Sequence, residues 1–179
     1  MTDLDPQWLV AQGLGMAALA LCVVAFSSKH DDRLLVILIA ANVCFALHFA
    51  CFERWVPAGL AALIVLRIIL VRRYKRRWSV MLAMLGASMV TALLTWQGPQ
   101  DWLALTASVL GTVGMFMLHG IPMRVVLAAA AAAWTLNNLA IGSIGGTLAE
   151  GLIMTANLIT IGRLLRDRRS ANGGVAFQH

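Results

Sequence analysis

Runs of apolar residues long enough to cross a lipid bilayer occupy almost the whole of this chain. A membrane-spanning helix needs about 20 predominantly apolar residues. Hydrophobic residues make up 60% of the 179 residues and charged residues only 12%, which is too little polar material to cover a water-facing surface. The sequence therefore predicts an all-α integral membrane protein that crosses the bilayer seven times. The predicted spans cover roughly residues 8–27, 33–52, 55–71, 78–96, 102–119, 124–142 and 146–164.

The basic residues fall on one side of these seven spans. All of the 14 Lys and Arg residues except Arg54 and Arg67 lie at the same ends of the predicted helices. Because Lys and Arg are retained on the cytoplasmic side during insertion, we expect the N-terminus outside and the C-terminus in the cytoplasm. Six spans would break this asymmetry. The basic cluster at 72–77 is interpreted as a loop that contacts anionic lipid, and we expect no nucleic-acid partner.

The sequence also repeats itself. The spacing from Arg33 to Arg72 recurs from Arg124 to Arg163, and a Pro-Gln pair followed by Trp-Leu precedes both the first and the fifth span. Two copies of a three-helix unit with one extra helix between them would give this pattern, and the odd helix would set both copies in the same orientation. The predicted units are a first three-helix repeat at 1–72, a linker helix 4 at 73–98, a second three-helix repeat at 99–169 and a disordered cytoplasmic tail at 170–179.

Polar side chains near the middle of the spans are the candidate binding residues. Such groups are costly in hydrocarbon and usually face the interior of a helix bundle. An asparagine amide donates and accepts without carrying a charge, which suits a small neutral or zwitterionic solute. The alternative is that the asparagines only form hydrogen bonds between helices, each of which stabilises the bundle by about 0.6 kcal/mol. We predict a substrate pocket that contains Asn42, Trp134, Asn138 and Asn157.

Three ionisable residues within the spans form a second candidate set, for a proton or an anion. They are Arg67, Glu150 and His48. Each has a structural alternative. The long stem of Arg67 can reach the interface, Glu150 can be stabilised by the dipole at its helix N-terminus, and His48 can be a buried histidine with satisfied hydrogen bonds. We do not expect Arg67 and Glu150 to be in contact, because their predicted depths differ.

The sequence contains no pattern that indicates an enzyme or a bound cofactor. It has no HExxH motif, no phosphate-binding glycine loop after a strand and no nucleophile with a nearby base. Cys22, Cys44 and Cys51 are interpreted as free buried thiols. Cys44, His48 and Cys51 share one helical face, but three isolated ligands are weak support for a metal site. We therefore expect no catalytic activity, no cofactor and no metal.

Several short motifs in the first half of the chain carry a resemblance to a known family. They are the segment QWLVAQGLG at 7–15, the Asp32-Arg33 start of the second span, Ala41-Asn42 and the segment ALHF at 46–49. In these motifs the chain resembles the YgjV-type bacterial inner membrane proteins over roughly residues 5–169. The resemblance implies a multi-pass protein of the bacterial inner membrane.

The 3+1+3 layout is similar to that of the SWEET sugar transporters and the PQ-loop proteins. In those proteins two three-helix bundles enclose a pocket lined by asparagines and tryptophans. Trp134 and Asn157 stand where such residues are expected in the second half. The first half departs from the pattern, because Arg67 stands where an asparagine is expected. The helix-breaking prolines of SWEET-type transporters are also missing.

This likeness implies a small-solute transporter or facilitator with a polar pocket between the two repeats. The alternatives are a non-transporting membrane receptor or accessory protein on the same fold, and a lipid-handling protein. The expected partners are the lipid bilayer, a small polar solute and a second copy of the chain in a homo-oligomer.

Overall fold

The fold is a bundle of long helices. A computed structural model describes residues 5–27 and 31–175, and within these ranges the chain forms seven α-helices and no strand. The helices are α1 (Pro6–Ser27), α2 (Asp31–Cys51), α3 (Trp55–Tyr74), α4 (Trp78–Thr95), α5 (Asp101–Met117), α6 (Gly120–Ile141) and α7 (Ile144–Val175).

The helix bounds follow the apolar runs of the sequence to within about one helical turn, except at the end of α7. This helix continues to Val175, so residues 170–175 are helical where the sequence predicts a disordered tail. Extending a helix costs far less than starting one, and no proline follows in this part of the chain to end it. Residues 176–179, the rest of that predicted tail, lie outside the described residues.

Five of the described helices are long and apolar enough to cross a membrane: α1, α3, α4, α6 and α7. The apolar parts of the other two are shorter, at Val36–Cys51 in α2 and at Asp101–Met117 in α5. The first turns of α2 carry two aspartates and an arginine. With 17 residues, α5 is about 25 Å long at 1.5 Å per residue, slightly less than the roughly 30 Å hydrocarbon core.

Six of the helices close a ring. In order, α1 packs on α2, α2 on α3, α3 on α5, α5 on α6, α6 on α7, and α7 back on α1. Helix α4 lies outside this ring against α3 and α5. The two contacts between helices that are not consecutive in sequence are named here the α1–α7 seam and the α3–α5 seam.

Small residues bring the helices of the ring close together. Gly145 of α7 lies directly against the backbone of Gly15 in α1, so that a side chain at residue 145 would overlap that backbone. The buried core is rich in alanine, with Ala18, Ala41 and Ala104 fully buried. Close approach of this kind is what drives helix association in lipid, where there is little hydrophobic force between helices.

Candidate solute pocket

A cavity lies between the second and third helices of the two predicted repeats. It contains about 230 Å³ of empty space, including its mouth. The space left between the side chains holds about one water molecule, so the pocket is narrow in this conformation. Its lining comes from α2 (Asn42, Phe45, Phe49), α3 (Ala61, Ile64), α6 (Trp134, Asn138) and α7 (Glu150).

Stacked aromatic rings form one wall of the cavity. Phe45 and Phe49, one turn apart on α2, stack with ring centroids 6.2 Å apart. Phe49 then stacks on Trp134 of α6 at 5.7 Å, with the two rings only 15° from parallel. Offset stacking of this kind stabilises a pair beyond simple burial, so α2 and α6 are joined by a continuous aromatic wall.

The two asparagines of the cavity use their amide groups in the same way. Asn42 Nδ2 donates to the carbonyl oxygen of Leu38 at 2.8 Å, and Asn138 Nδ2 donates to that of Trp134 at 3.0 Å. Because a backbone carbonyl can only accept, these bonds fix which end of each amide is the oxygen. Asn138 Oδ1 is buried and has no hydrogen-bond partner among the described residues. Each amide therefore has one N–H engaged on its own helix, and the oxygen of Asn138 is left as a buried acceptor.

Glu150 brings a carboxylate to the same cavity. It lies in the second turn of α7 and is partly buried. Among the described residues it makes no ion pair, since the single salt bridge there joins Arg54 to Asp101. The charge of Arg67 on α3 nevertheless interacts with it through space.

Arg67 is buried in the α3–α5 seam, with only 7% of its surface exposed. Its Nη1 atom donates to the carbonyl oxygen of Ser108 at 3.2 Å and lies 3.5 Å from Thr112 Oγ1. The guanidinium group fits over Gly111, where a Cβ atom would come within 2.6 Å of Nη1. The side chain thus turns toward α5 and does not extend to the membrane interface.

His48 of α2 lies outside the cavity lining and connects α2 to α1 and to the turn between α6 and α7. It is fully buried, with Nδ1 2.5 Å from the carbonyl oxygen of Ala11 and Nε2 2.7 Å from Ser143 Oγ. Since the carbonyl of Ala11 only accepts, Nδ1 carries the hydrogen and Nε2 accepts from the Ser143 hydroxyl. Ser143 Oγ also accepts from the backbone N–H of Gly146 at 3.0 Å. Both ring nitrogens are satisfied, as in the structural alternative for this residue.

Asn157 lies apart from the other predicted substrate residues. It is 4% exposed and its Oδ1 atom accepts from Arg124 Nη1 at 3.2 Å, while its Nδ2 atom donates to Ile153 at 2.9 Å. Asn157 is not among the residues that line the cavity. The structure therefore brings together Asn42, Trp134 and Asn138, adds Glu150 to them, and places Asn157 near the start of α6.

Sequence reasoning missed the phenylalanines of the cavity. Phe45 and Phe49 follow Asn42 at helical spacings of three and seven residues, so they share its face, and projecting that face would have found them. No comparable pattern separates Asn138 from its neighbour Asn137. Asn137 is fully buried, and neither of its amide atoms has a hydrogen-bond partner among the described residues.

Comparison with known proteins identifies the family of the chain. A family model described as Imp-YgjV, bacterial inner membrane protein, matches residues 9–168. The chain belongs to this family. It is also similar to the inner membrane protein YgjV of Escherichia coli (strain K12), with 28% identity over 163 residues, covering 90% of this chain and 87% of the relative. No solved structure matches the chain. This member of the YgjV family is a multi-pass protein of the bacterial inner membrane.

Proposed function

We propose that this YgjV-family protein is a small-solute transporter or facilitator, not an enzyme, and that its solute binds in the cavity between α2, α3, α6 and α7. The observation that carries the proposal is the composition of the cavity lining. Polar groups from both predicted repeats, Asn42 from the first and Asn138 and Glu150 from the second, meet in one space inside apolar helices. Intramembrane polar groups that face a common cavity are typical of solute pathways.

The order of helix contacts supports the proposed parallel repeats. If α1, α2 and α3 are matched with α5, α6 and α7, the contact of α1 with α2 matches that of α5 with α6, and α2 with α3 matches α6 with α7. The α1–α7 seam then matches the α3–α5 seam. Every contact of the ring maps onto another, as expected for two units related by an axis along the membrane normal. The proposed 3+1+3 layout is similar to that of the SWEET and PQ-loop proteins.

The ends of the helices support the proposed seven spans and their orientation. Basic residues lie at the start of α2, at the end of α3, at the start of α6 and at the end of α7, all of which meet at one end of the ring. The Arg76 N–H bonds to the Phe116 carbonyl at 3.0 Å, which joins the α3–α4 turn to the end of α5. We place this end in the cytoplasm by the positive-inside rule.

The narrowness of the cavity sets a requirement on the mechanism. Ligand pockets for drug-sized molecules contain about 300–1,000 Å³, whereas the space between the side chains here holds about one water molecule. We infer that the pocket takes a solute of only a few heavy atoms and widens when the two repeats move apart. The aromatic contact between Phe49 and Trp134 is the part of the lining that must open.

The proposal is tested by ligand-dependent thermal stability of the purified protein, followed by flux into liposomes. Sugars, amino acids, amines, vitamins and nucleosides are screened at millimolar concentration, because a ligand that binds only the folded state raises the melting temperature by mass action. Hits are repeated in Asn138→Ala and in a matched control, Asn137→Ala, which changes an equally buried asparagine on the same helix that does not line the cavity.

A hit that is lost in Asn138→Ala, retained in Asn137→Ala and followed by uptake into liposomes supports transport. Binding without flux supports the alternative of a receptor or accessory protein that uses the same pocket. Exchange of labelled lipid between leaflets without solute binding supports the lipid-handling alternative. The homo-oligomer stays a prediction, and light scattering of the detergent-solubilised protein checks it.

A further inference from the structure

The cavity lining includes hydrogen-bond acceptors that a solute could satisfy. Asn42 and Asn138 each have a donor engaged by a carbonyl of their own helix. The Asn138 oxygen is buried, has no partner among the described residues, and lies against Gly146, where a Cβ atom would overlap it. Glu150 adds a carboxylate, which when ionised only accepts. A solute that satisfies the Asn138 oxygen and the Glu150 carboxylate must bring N–H or O–H donors.

The aromatic wall adds a preference for positive charge. Phe45, Phe49 and Trp134 line the same space as the carboxylate. A cation within about 6 Å of an aromatic face is attracted by the negative potential of the ring, and this attraction is larger when water is excluded. A carboxylate beside stacked rings is therefore a site for a small cation with hydrogen-bond donors.

The positive charge of Arg67 partly offsets the negative charge of Glu150, but the two side chains form no ion pair. A single carboxylate in hydrocarbon is very costly, and the nearby guanidinium reduces that cost through space. The Nη1 atom of Arg67 is held by Ser108 on α5, and no ion pair with Glu150 forms. Of the other elements around Glu150, α1 contributes the thiol of Cys22. From α2, His48 is held by Ala11 and Ser143.

We propose that this cavity selects small solutes that carry a protonated primary amino group. The ammonium group donates to the Glu150 carboxylate and to the oxygens of Asn138 and Asn42, and the carbon atoms beside it lie on the Phe49–Trp134 wall. This inference rests on the proposed function, since it names the class of solute for the same pocket. An ammonium group supplies three donors and no acceptor, which complements a lining of acceptors.

The test compares two solutes of almost equal size, one with an ammonium group and the other with a neutral hydroxyl in its place. The full-length protein in detergent is titrated with ethanolamine and with ethylene glycol, and the melting temperature is followed. We expect a saturable rise with ethanolamine and none with ethylene glycol. Choline has the charge but no N–H donor, and we expect it to bind at least about tenfold more weakly, because a hydrogen bond to a charged group is lost. Equal binding of ethylene glycol and ethanolamine would overturn the inference.

The variant Glu150→Gln keeps the shape of the side chain and removes its charge. We expect affinity for ethanolamine to fall about tenfold to a hundredfold, through loss of the charge-assisted hydrogen bond. Glu53→Gln is the matched control, since this exposed glutamate lies in the turn between α2 and α3. The melting temperature without solute reports whether each variant is folded. Unchanged ethanolamine affinity in a folded Glu150→Gln protein would overturn the proposal.

Two further arms separate this inference from the function on which it rests. If a neutral solute binds, and its binding is lost in Asn138→Ala but not in Glu150→Gln, the pocket functions and the ammonium class is wrong. If no solute of any class binds, both proposals fail. Glycine distinguishes a simple amine from a zwitterion: binding of glycine equal to that of ethanolamine supports the ammonium site and indicates that a carboxylate is accepted beside it.

Discussion

The α1–α7 seam and the α3–α5 seam both join helices that run in the same direction, yet they use different chemistry. In the α1–α7 seam, Gln12 donates to the carbonyl of Gly142 at 2.8 Å and accepts from the N–H of Ile144 at 3.2 Å, and all of these groups are neutral. In the α3–α5 seam the corresponding contacts are charged. Arg54 Nη2 lies 3.5 Å from Oδ1 of the buried Asp101. Farther along the same two helices, Arg67 donates to the carbonyl oxygen of Ser108.

The position of α4 follows from this difference. Charged groups within a membrane must be shielded from lipid, and α4 packs over the charged seam, where Ser88 Oγ lies 3.3 Å from Ser108 Oγ. The neutral seam is flanked by side chains that are about half exposed, Met16 at 46% and Leu148 at 53%. The two matching seams of the ring are therefore stabilised differently: the α1–α7 seam by close backbone contact, and the α3–α5 seam by buried charged groups covered by an added helix.

The largest expected effect is at the outer end of the charged seam. Asp101 is fully buried and its Oδ2 atom accepts from the backbone N–H groups of Gln97 at 2.7 Å and Gly98 at 3.2 Å. We expect Asp101→Ala to lower the free energy of unfolding by about 3 kcal/mol, because charge-assisted bonds are lost and Arg54 is left without its carboxylate. Thermal unfolding in detergent measures this loss. Asp167→Ala, at an exposed position on α7, is the control.

The second prediction compares a glycine from each seam. Gly145→Ala pushes a methyl group into the backbone of Gly15, which cannot move without separating α1 from α7, and we expect a loss of about 2 kcal/mol. Gly111→Ala meets only the flexible end of Arg67, and we expect a loss of about 1 kcal/mol or less. Gly151→Ala is the control, because no atom lies within 4 Å of a Cβ atom added at that residue. Equal losses in the two seams would contradict the comparison.

The third prediction concerns the hydrogen-bonded start of α7. Ser143→Ala removes the acceptor for the Gly146 N–H and the donor to His48. We expect a loss of about 1 kcal/mol, the usual cost of removing a helix N-cap. Chemical or thermal unfolding checks the value, and Thr155→Ala, which loses only a bond within its own helix, is the control. A Ser143 variant as stable as that control would show that the His48 contact adds nothing to the neutral seam.

The smallest expected effect tests the cover over the charged seam. Ser88→Ala removes the hydroxyl contact between α4 and α5. Hydrogen bonds between membrane helices average about 0.6 kcal/mol, so we expect a loss of that size. Thr95→Ala, whose hydroxyl bonds only to Thr91 of its own helix, gives the baseline. If Ser88→Ala lowers the free energy of unfolding by several times this amount, α4 stabilises the charged seam by more than one hydrogen bond.

Much of the pocket could be anticipated from the sequence, since polar residues inside apolar runs are rare. This reasoning predicts Asn42 and Asn138, the likeness to SWEET proteins also supports Trp134, and the structure places all three around one cavity. The same reasoning could not separate Asn157 from them. Its partner Arg124 lies on a neighbouring helix, and a choice between two polar partners depends on how the two helices are rotated.

The sequence by itself determined the seven helices, their membrane environment and, except at the end of α7, their approximate bounds, because backbone hydrogen bonds in a membrane are made within each helix. Tryptophans mark several helix starts, as at Trp55 and Trp78. Only the tertiary structure decided that the helices close a ring, that Arg67 turns toward α5, and that Glu150 faces Asn42 across the interior. These contacts join residues far apart in the chain and depend on helix rotation and on close packing at glycines, which apolar periodicity alone does not fix.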